Sequence, residues 1–467
     1  MNISLFHSLR KLKRTGIWRT SNSVLVCRSS VVLTFMCLAC LSLPCHSENC
    51  PFPIPKLEPP TFPNLSVNIE DHGATAGGKV KSTEAIRFAI QFCSEKGGGT
   101  VVVPEGVWLT GAIHLKSHVR LHLERDAVLR FSTDPEDYLP VVFTRWAGFE
   151  CYNYSPLIYA RDCEDIAITG EGEIEGQGET WWPWEERQAD TAKRLYETQV
   201  LQNVPLGKRI YGTVEDGLRP QLISPIHCKR VLLEGFTIRS PGPFWTVHFV
   251  YCDQVIARNL SINTPGGPNT DGLNVDSCSN VLIEHCRFDT GDDCIALKSG
   301  INEDGWRVGR PTENVEVRHI ETKRGHGGIV FGSDTSGGIR HVFVHNCHFQ
   351  GTDIGIRLKS TRGRGGVVED IWLKDIEMND IAHEAVRINT HYRAWFASNG
   401  GKAPLFRNIH MENIVCRGAK VGLKILGLPD QPIENVSLNK AVLQVQKGFE
   451  LDHVKGLSLT SVQVKEE

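Results

Sequence analysis

The sequence predicts an all-β chain coiled into a right-handed parallel β-helix, a solenoid with a short N-terminal capping helix. Short apolar strand segments recur along most of the chain at intervals of 21 to 38 residues, and no helical pattern separates them. Strands at this spacing can be parallel only if the chain coils, and such crossovers are right-handed. The 44 glycines suit a chain with many tight turns.

The first residues predict an export signal. Residues 1–47 hold six basic side chains and no acidic one, and residues 31–43 form an apolar run that is short for a membrane span. We therefore expect a secretory signal region at 1–47, a secreted protein (cell wall or periplasm, depending on the source) and no stable membrane association. A signal anchor is the alternative. Residues 48–66 are rich in proline and predict an extended lead-in, and residues 67–467 predict a single parallel β-helix domain.

The start of the domain predicts a strand and then a cap. Val67–Ile69 opens a strand that we expect to end at Gly73. The segment from Ser82 to Cys93 predicts an amphipathic helix with Ser82 as N-cap, and Gly97–Gly99 ends it. Its apolar residues at helical spacing are Ala85, Ile86, Ala89, Ile90 and Cys93. Because the ends of a solenoid need a cover, we interpret this helix as that cover.

Strand segments follow from Thr100 onward, beginning with Thr100–Pro104, Val119–Leu123 and Ile166–Ile168. A phrase of alternating apolar residues then recurs nine times, and its first residue serves as an anchor for each coil. The anchors are Val231, Val255, Val281, Val315, Val342, Ile371, Ile409, Val436 and Leu457. Their spacing predicts that they stack in one column of the solenoid.

Cysteines repeat in the same register. Cys163, Cys228, Cys252 and Cys278 each stand three residues before an anchor, so they predict a second column. We interpret them as small buried side chains in the solenoid wall rather than as a metal site. Eleven cysteines follow residue 47, so at least one thiol of a monomer has no cysteine partner.

The charge balance excludes one class of partner. After residue 47 there are 45 basic and 54 acidic side chains, a net charge of −9. Nucleic-acid binders usually present a basic face, so we expect no nucleic-acid partner. An acidic polymer could bind only through a local cationic pocket.

Two acidic clusters are the strongest functional signal. Asn269–Gly272 contains Asp271, and Gly291–Cys294 contains Asp292 and Asp293. Since Asp271 and Asp292 are 21 residues apart, one coil would stack Asp271 beneath the other two, about 4.8 Å away. When carboxylates lie this close, their repulsion raises the pKa of one of them. Acid–base chemistry on a glycosidic bond requires such a protonated carboxyl group. The alternative is that both clusters are polar turns.

Two further motifs follow within three coils. Gly325-His326-Gly327 places an imidazole where it could hydrogen-bond a carboxyl group, although a structural histidine is the alternative. Arg357 and Lys359 alternate on a strand and therefore face the same side. A pair of cations on an acidic protein is a candidate clamp for a substrate carboxylate, and a solvated strand face is the alternative.

These four motifs, in this order from Asn269 to Lys359, resemble glycoside hydrolase family 28, the polygalacturonases and their relatives. The resemblance extends from about Ile69 to Tyr392. It implies a β-helix enzyme that hydrolyses α-1,4-galacturonosidic bonds of pectin with inversion. By resemblance, the catalytic residues are Asp292 as general acid, Asp271 and Asp293 as holders of the attacking water, and His326 as support for the acid. The substrate-binding residues are Asn269, Arg357, Lys359 and Tyr392.

The resemblance carries further expectations about partners. A pectic polysaccharide is the expected substrate, with no cofactor, no metal and a monomeric protein. The alternatives are a related pectic hydrolase acting on rhamnogalacturonan or xylogalacturonan, a calcium-dependent β-helix pectate lyase, and a non-catalytic pectin-binding solenoid. Many family members join the cysteine of the Gly-Asp-Asp-Cys motif to another just before Gly-His-Gly. Here Glu321–Arg324 occupies that place, so we expect no such disulfide at Cys294.

The long excursion Glu179–Arg219 interrupts the repeat, and a loop of that size is usually functional. It resembles the insertion that closes one end of the cleft in exo-acting relatives, so we expect exo action. The excursion begins with Thr180-Trp181-Trp182-Pro183-Trp184, and Trp306 and Trp395 lie in two other expanded intervals. These rings predict either a sugar groove or packing of the loops.

Overall fold

The computed structural model describes residues 50–397 and 401–466. The expected signal region, 1–47, lies outside the described residues. Within them, no helix has both the length and the apolar character that crossing a membrane would need.

The chain is a right-handed parallel β-helix, as the sequence predicts. Three α-helices accompany the strands in the part of the chain that the structure describes: α1 (Thr83–Glu95), α2 (Glu185–Arg194) and α3 (Asn302–Val308). The strands, β1 to β34 in chain order, are Ser66–Asn68, Gly99–Val103, Gly106–Thr110, Ile113–His114, Val119–Leu123, Ala127–Phe131, Val142–Trp146, Phe149–Asn153, Ile158–Arg161, Glu164–Gly170, Glu173–Glu175, Ile210–Tyr211, Ile223–Ile226, Lys229–Glu234, Thr237–Ser240, Val247–Val250, Asp253–Arg258, Ser261–Thr264, Leu273–Asp276, Ser279–Glu284, Arg287–Thr290, Ile295–Lys298, Thr312–Arg318, Glu321–Arg324, Ile329–Gly332, Ile339–Gln350, Ile354–Lys359, Val367–Asn379, Glu384–Asn389, Leu405–Arg417, Val421–Leu426, Ile433–Val445, Lys447–Asp452 and Val454–Glu466.

Two large sheets run along the solenoid. The first contains twenty strands, and the second contains eleven in the order β4, β9, β13, β16, β19, β22, β25, β27, β29, β31 and β33. All pairings within these two sheets are parallel, and the core lies between them. A small third sheet joins the antiparallel hairpin β7–β8 to β12. It lies outside the coil and is the first part of a covering layer.

The predicted anchor column is confirmed in the first sheet. Val231 pairs with Val255, Val255 with Val281, and Val281 with Val315. The column continues without a break to Leu457. The side chains from Val231 to Val436 are at most 1% exposed, so the recurring apolar residue of each coil is what fills the interior.

Each coil bends at a residue with positive φ, and polar residues fill this position. Asn259, His285, His319, Asn346 and Asp375 take it in five consecutive coils, with φ between 52° and 55°. Asn, Asp and His adopt this left-handed conformation more readily than other residues with a side chain. The corner separates two strands of the first sheet at Asn259, His285 and His319, and it bends a single strand at Asn346 and Asp375.

The N-terminal cap differs from the prediction in two details. The first strand ends at Asn68 rather than at Gly73, because Ile69–His72 forms a 3₁₀ turn that Gly73 ends at a φ of 89°. Helix α1 forms as predicted, with Ser82 at the N-cap position, but the Ser82 side chain makes no capping hydrogen bond. Its hydroxyl is buried without a partner, so the apolar face of α1 holds the helix in place.

The second predicted column is confirmed as a row of thiols. Cys228, Cys252 and Cys278 are buried and Cys163 is half-buried, and none of the four forms a disulfide. Cys252 Sγ donates to the carbonyl oxygen of Pro225 at 3.3 Å, and Cys278 Sγ accepts from Cys252 N at 3.2 Å. The thiols pack between coils as small apolar side chains with weak hydrogen bonds.

The Glu179–Arg219 excursion is folded rather than a plain loop. It contains α2, a π-helical turn at Leu195–Val200, short 3₁₀ turns and β12. Together with the hairpin β7–β8 and helix α3 it forms what we call the covering layer, defined by residues 142–153, 179–219 and 301–308. Arg145 of the hairpin ties this layer to the second sheet, since its Nη1 lies 2.9 Å from the Asp276 carboxylate.

Ile409→Ala tests the anchor column. We expect it to lower the free energy of unfolding by about 2–5 kcal/mol, because it leaves a cavity in a close-packed interior. Urea unfolding followed by fluorescence measures this loss. Lys455→Ala, at an exposed side chain of the same sheet, should change the free energy by less than about 0.5 kcal/mol. Equal losses in the two variants would contradict the placement of Ile409 in the interior.

Candidate active site

One cavity on the outer face of the second sheet collects every site residue that the sequence predicts. Its volume is about 390 Å³, within the range of small-molecule pockets. The predicted residues that line it are Asn269, Asp271, Asp292, Asp293, His326, Arg357, Lys359 and Tyr392. They come from four consecutive coils and from the loop that follows β29. The motifs are therefore parts of one site and not separate polar turns.

The register at the acidic clusters differs by one residue from the prediction. Gly272 N donates to Asp293 O and Leu273 N to Cys294 O, both at 2.9 Å, and Leu273 pairs with Ile295. One coil here spans 22 residues, so Asp271 lies level with Asp293 and not with Asp292. The prediction that the acids occupy adjacent coils is confirmed. The coil between them is 22 residues long, and not the 21 residues that separate Asp271 from Asp292.

Asp293 is held by the two predicted cations. Lys359 Nζ donates to one carboxylate oxygen at 2.6 Å and Arg357 Nη1 donates to the other at 3.3 Å. Asp293 is 1% exposed, and a carboxylate buried to that degree requires such partners. As predicted, Arg357 and Lys359 project on the same side of β27. Their charges face the acids as well as the cavity.

His326 contacts the third acid. Its Nδ1 lies 3.0 Å from Asp292 Oδ1, and its backbone N donates to Asp292 O at 3.0 Å. This hydrogen bond raises the pKa of His326. Burial alone would raise the pKa of Asp292, but the hydrogen bond from His326 and the charge of Lys359 lower it below its ordinary value. Both shifts favour a protonated imidazole beside a carboxylate.

Asp271 has the opposite electrostatic environment. Burial, and then the charge of Asp292, raise the pKa of Asp271 well above its ordinary value, although Lys298 acts against this rise. Lys298 Nζ lies 3.6 Å from Asp271 Oδ2 and 4.2 Å from the centre of the Trp245 ring. Proton affinity is therefore higher at Asp271 than at Asp292.

The glycines of the Gly-His-Gly motif have a packing role. Gly325 has a φ of 147°, and a Cβ at this position would lie 2.6 Å from Cys294 Sγ. Close approach of two coils, rather than of a ligand, requires this glycine. Cys294 is buried and forms no disulfide; its Sγ donates to Arg324 O at 3.2 Å.

Asn269 is fixed by the covering layer. It has a φ of 59°, which asparagine tolerates, and its Oδ1 accepts from Arg219 Nη2 at 2.9 Å. Arg219 also donates to Gln188 of α2 at 2.8 Å. Burial lowers the pKa of Arg219 to about 10. The end of the long excursion thus positions the motif that contains Asp271.

The aromatic residues divide between the two predicted roles. Trp181 and Trp184 are buried against Tyr138 and Tyr154, so they pack the excursion onto the coil. Trp306 Nε1 donates to Arg364 O at 2.7 Å, so it also packs a loop.

Trp395 is different, since it lines the cavity and is 45% exposed. Tyr392 adjoins the cations: Arg357 Cζ lies 5.5 Å and Lys359 Nζ 5.3 Å from its ring centre.

Among the charged residues that sequence analysis missed, Lys298, Asp334 and Arg364 line the cavity and Arg219 supports it. Lys298 could have been found from its sequence context. In the strand that follows Asp293, Ile295 and Leu297 alternate towards the core, so Lys298 lies on the outer face, in the column that Gly332 and Lys359 continue. The other three lie in irregular segments, which have no periodicity to interpret. Among residues 50–397 and 401–466, no group of three or more His, Cys, Asp or Glu side chains has the arrangement of a metal site.

Comparison with known proteins places this site in a family. The sequence matches "Glycosyl hydrolases family 28" over residues 93–456, a segment that includes all the cavity residues. The chain belongs to this family. The protein is therefore a hydrolase of O-glycosyl bonds, and the lyase and the non-catalytic solenoid are set aside.

Three relatives of this family 28 hydrolase show how far the likeness extends. A probable polygalacturonase of Vitis vinifera is 30% identical over 84% of this chain and 78% of its own length. An exo-poly-alpha-D-galacturonosidase of Dickeya chrysanthemi is 28% identical over 72% of this chain, which spans 58% of that relative. The exopolygalacturonase structure from Thermotoga maritima matches 88% of this chain and 94% of its own, with 37% identity and a TM-score of 0.84.

The contact between His326 and Asp292 predicts a pH dependence of stability. The folded-state pKa of His326 is raised, so its contribution is full below an unfolded pKa of about 6.5 and is lost as pH rises through the folded value. The pKa of Asp292 is lowered, so its contribution is lost as pH falls below about 4. We expect the Tm difference between wild type and His326→Gln to be largest between these limits.

The control for this experiment is His319→Gln, in the first sheet. Burial lowers the pKa of His319, so protonation favours the unfolded state and the wild type loses stability relative to this variant as pH falls below about 6.5. Thermal melts of the three proteins from pH 4 to 9 measure both trends. A His326→Gln difference that grows above pH 7 would refute the assigned ion pair.

Proposed function

We propose that this family 28 enzyme hydrolyses α-1,4-galacturonosidic bonds of polygalacturonan, with inversion and from a chain end. The observation that carries this proposal is the convergence of the carboxylates Asp271, Asp292 and Asp293 with the cations Arg357 and Lys359 on one cavity. Paired carboxyl groups provide the acid and the base of glycoside hydrolysis, and adjacent cations select a sugar that is itself an acid.

Asp292 is the proposed general acid, and His326 supplies its proton. The resting pair is a carboxylate hydrogen-bonded to an imidazolium, so one transfer along the 3.0 Å contact protonates Asp292. Bound substrate favours that transfer. A galacturonate carboxylate against Lys359 would offset the positive charge that lowers the pKa of Asp292. Asp292 would then be protonated, and able to act as the acid, when an acidic sugar is bound.

Asp271 and Asp293 are the proposed holders of the attacking water. Asp293 is kept in one orientation by Lys359 and Arg357, so it can accept a hydrogen bond from water along a fixed direction. As the base, Asp271 would receive the proton that the water releases, and Lys298, 3.6 Å from Asp271 Oδ2, favours the carboxylate form that this role needs. An inverting reaction needs this separation between a base and an acid on opposite sides of the bond.

Exo action is supported by the walls of the cavity. Trp395 of the loop after β29 lines the cavity, together with three residues of the covering layer: Ala147 at the tip of the hairpin β7–β8, Glu185 of α2 and Ile301 before α3. The covering layer that contributes these residues is fixed by buried contacts, including the ion pair of Arg145 with Asp276. A chain end can enter such a cavity, whereas the middle of a polymer would meet these walls. The names of the Dickeya and Thermotoga relatives, both exo-acting, agree with this proposal.

Secretion and a monomeric state complete the proposal. Export by residues 1–47 would bring the enzyme to a polymer that is outside the cell. A monomer would suffice, because the eight predicted site residues of a single chain already converge on one cavity.

Asp292→Asn tests the acid. We expect kcat to fall by roughly 10²- to 10⁴-fold, the usual contribution of a general acid, with a Tm no lower than that of His326→Gln, which loses the same ion pair. Release of reducing sugar from polygalacturonate measures the loss. Asp353→Asn is the matched control, since Asp353 lies 3.9 Å from the other nitrogen of His326 but outside the cavity. Full activity of Asp292→Asn would rule out the assigned role.

The time course of products tests the mode of attack. Because the walls admit a chain end, galacturonate or a single short oligomer should be the sole product from the first minutes, while the viscosity of the polymer falls slowly. Anion-exchange chromatography of a polygalacturonate digest shows the products. A ladder of oligomers at early times would show cleavage within the chain and would sink the exo assignment.

A further inference from the structure

A buried cation without a carboxylate partner lines the cavity next to the covering layer. Arg364 is 1% exposed and follows β27 in a short loop. Its Nη1 donates to Asn302 Oδ1 and its Nη2 donates to Trp395 O, both at 2.6 Å. Both acceptors are neutral. Among the described residues, no carboxylate oxygen lies within 4.0 Å of the guanidinium, and Nε is buried with no hydrogen-bond acceptor.

Other buried arginines of this protein are compensated in ways that Arg364 is not. Arg145 and Arg209 each lie 2.9 Å from a carboxylate, those of Asp276 and Asp304. Arg219 has no carboxylate partner, but it donates four hydrogen bonds and does not line the cavity. Arg364 combines a buried charge, an unpartnered nitrogen and a place in the cavity wall.

This combination is unfavourable for the protein alone. Burial lowers the pKa of Arg364, and the largest charge that acts against this effect is that of Asp334, which is beyond ion-pair distance. A buried charge destabilises a fold unless an opposite charge and hydrogen bonds compensate it. A guanidinium also presents its donors as a planar fork that fits a carboxylate. An anion that enters the cavity would supply the missing compensation.

We propose that Arg364 binds the carboxylate of a second sugar acid, adjacent to the one held by Arg357 and Lys359. The cavity then recognises two consecutive acidic sugars rather than one. Tyr392 lies beside the first cation site, and Trp395 belongs to the same loop, three residues further along. The carbonyl oxygen of Trp395 holds Arg364, and its exposed ring offers a wall for the same sugar. This inference rests on the proposed function, because it deepens the specificity of the same site.

Arg364→Gln tests the proposal by kinetics on two substrates. The first is digalacturonate, and the second is digalacturonate methyl-esterified on one sugar, prepared as both positional isomers. For the variant we expect KM on the free acid to rise roughly 10- to 100-fold, as for loss of charged hydrogen bonds, with a smaller change in kcat. On the isomer esterified at the sugar that Arg364 contacts, wild type and variant should have similar KM values.

Two variants separate recognition from structure. Arg362→Gln is the matched control, since Arg362 lies in the same loop but pairs with Asp430 at the surface, and its KM should equal that of the wild type. Arg364→Lys keeps the charge without the fork and should give an intermediate KM. Since the wild-type charge is uncompensated, the Tm of Arg364→Gln should not fall. A lower Tm of Arg364→Gln, together with the same rise in KM on the free acid and on both esters, would mean a structural role and overturn the proposal.

Calorimetry distinguishes this proposal from the proposed function. Galacturonate and its neutral counterpart galactose are titrated into wild type and into Arg364→Gln. In one outcome the wild type hydrolyses polygalacturonate, both proteins bind galacturonate with the same affinity, and the KM on digalacturonate is unchanged in the variant. This outcome would support the proposed function and contradict the role of Arg364. No hydrolysis of polygalacturonate by the wild type would instead remove the proposed function, and loss of galacturonate binding in the variant would still support an acid site at Arg364.

Discussion

Parallel pairing in the eleven-stranded sheet is the constraint on which the site depends. In a parallel ladder, residues that pair in register point to the same side of the sheet in every coil. A side chain on the outer side of one strand therefore has a neighbour in the preceding coil and another in the following coil. Lys298 and Lys359 share such a column, separated by one coil, and Arg357 lies in the next column. The acidic residues stand just before these strands. Chemistry that is spread over ninety residues of sequence thereby converges within a few coils.

The charges that converge must also compensate one another, because most of them are buried. Asp293 has two cations, Asp292 has an imidazole, and Asp271 has Lys298 at a longer distance. This uneven distribution separates the proton affinities of chemically identical groups, and such a separation is what divides carboxyl groups into acids and bases. The same network explains why a substrate charge would alter the protonation of the site. Lys359, the proposed partner of that charge, contacts Asp293, and its positive charge also acts to lower the pKa of Asp271 and of Asp292.

The sequence predicted the periodic parts of the molecule and not the irregular ones. The anchor column from Val231 to Leu457 and the eight cavity residues followed from repeats and motifs, because each coil must bury the same kind of side chain. The one-residue error at Asp271 arose because strand register, and not motif spacing, determines how coils align. Arg219 and Arg364 were missed because they act from segments whose course depends on contacts distant in sequence, with α2, α3 and the loop at Trp395.

The insertions all enter the coil beside strands of the same sheet. The hairpin β7–β8 and the long excursion precede strands β9 and β13, whereas α3 and the loop at Trp395 follow strands β22 and β29. Lengthening any of them leaves the ladder beneath unchanged, because the coil closes through its own paired strands. Such an architecture would let the two parts evolve separately. The insertions, which limit the polymer that can enter, can change in length while the strands that carry the charged cavity residues stay the same.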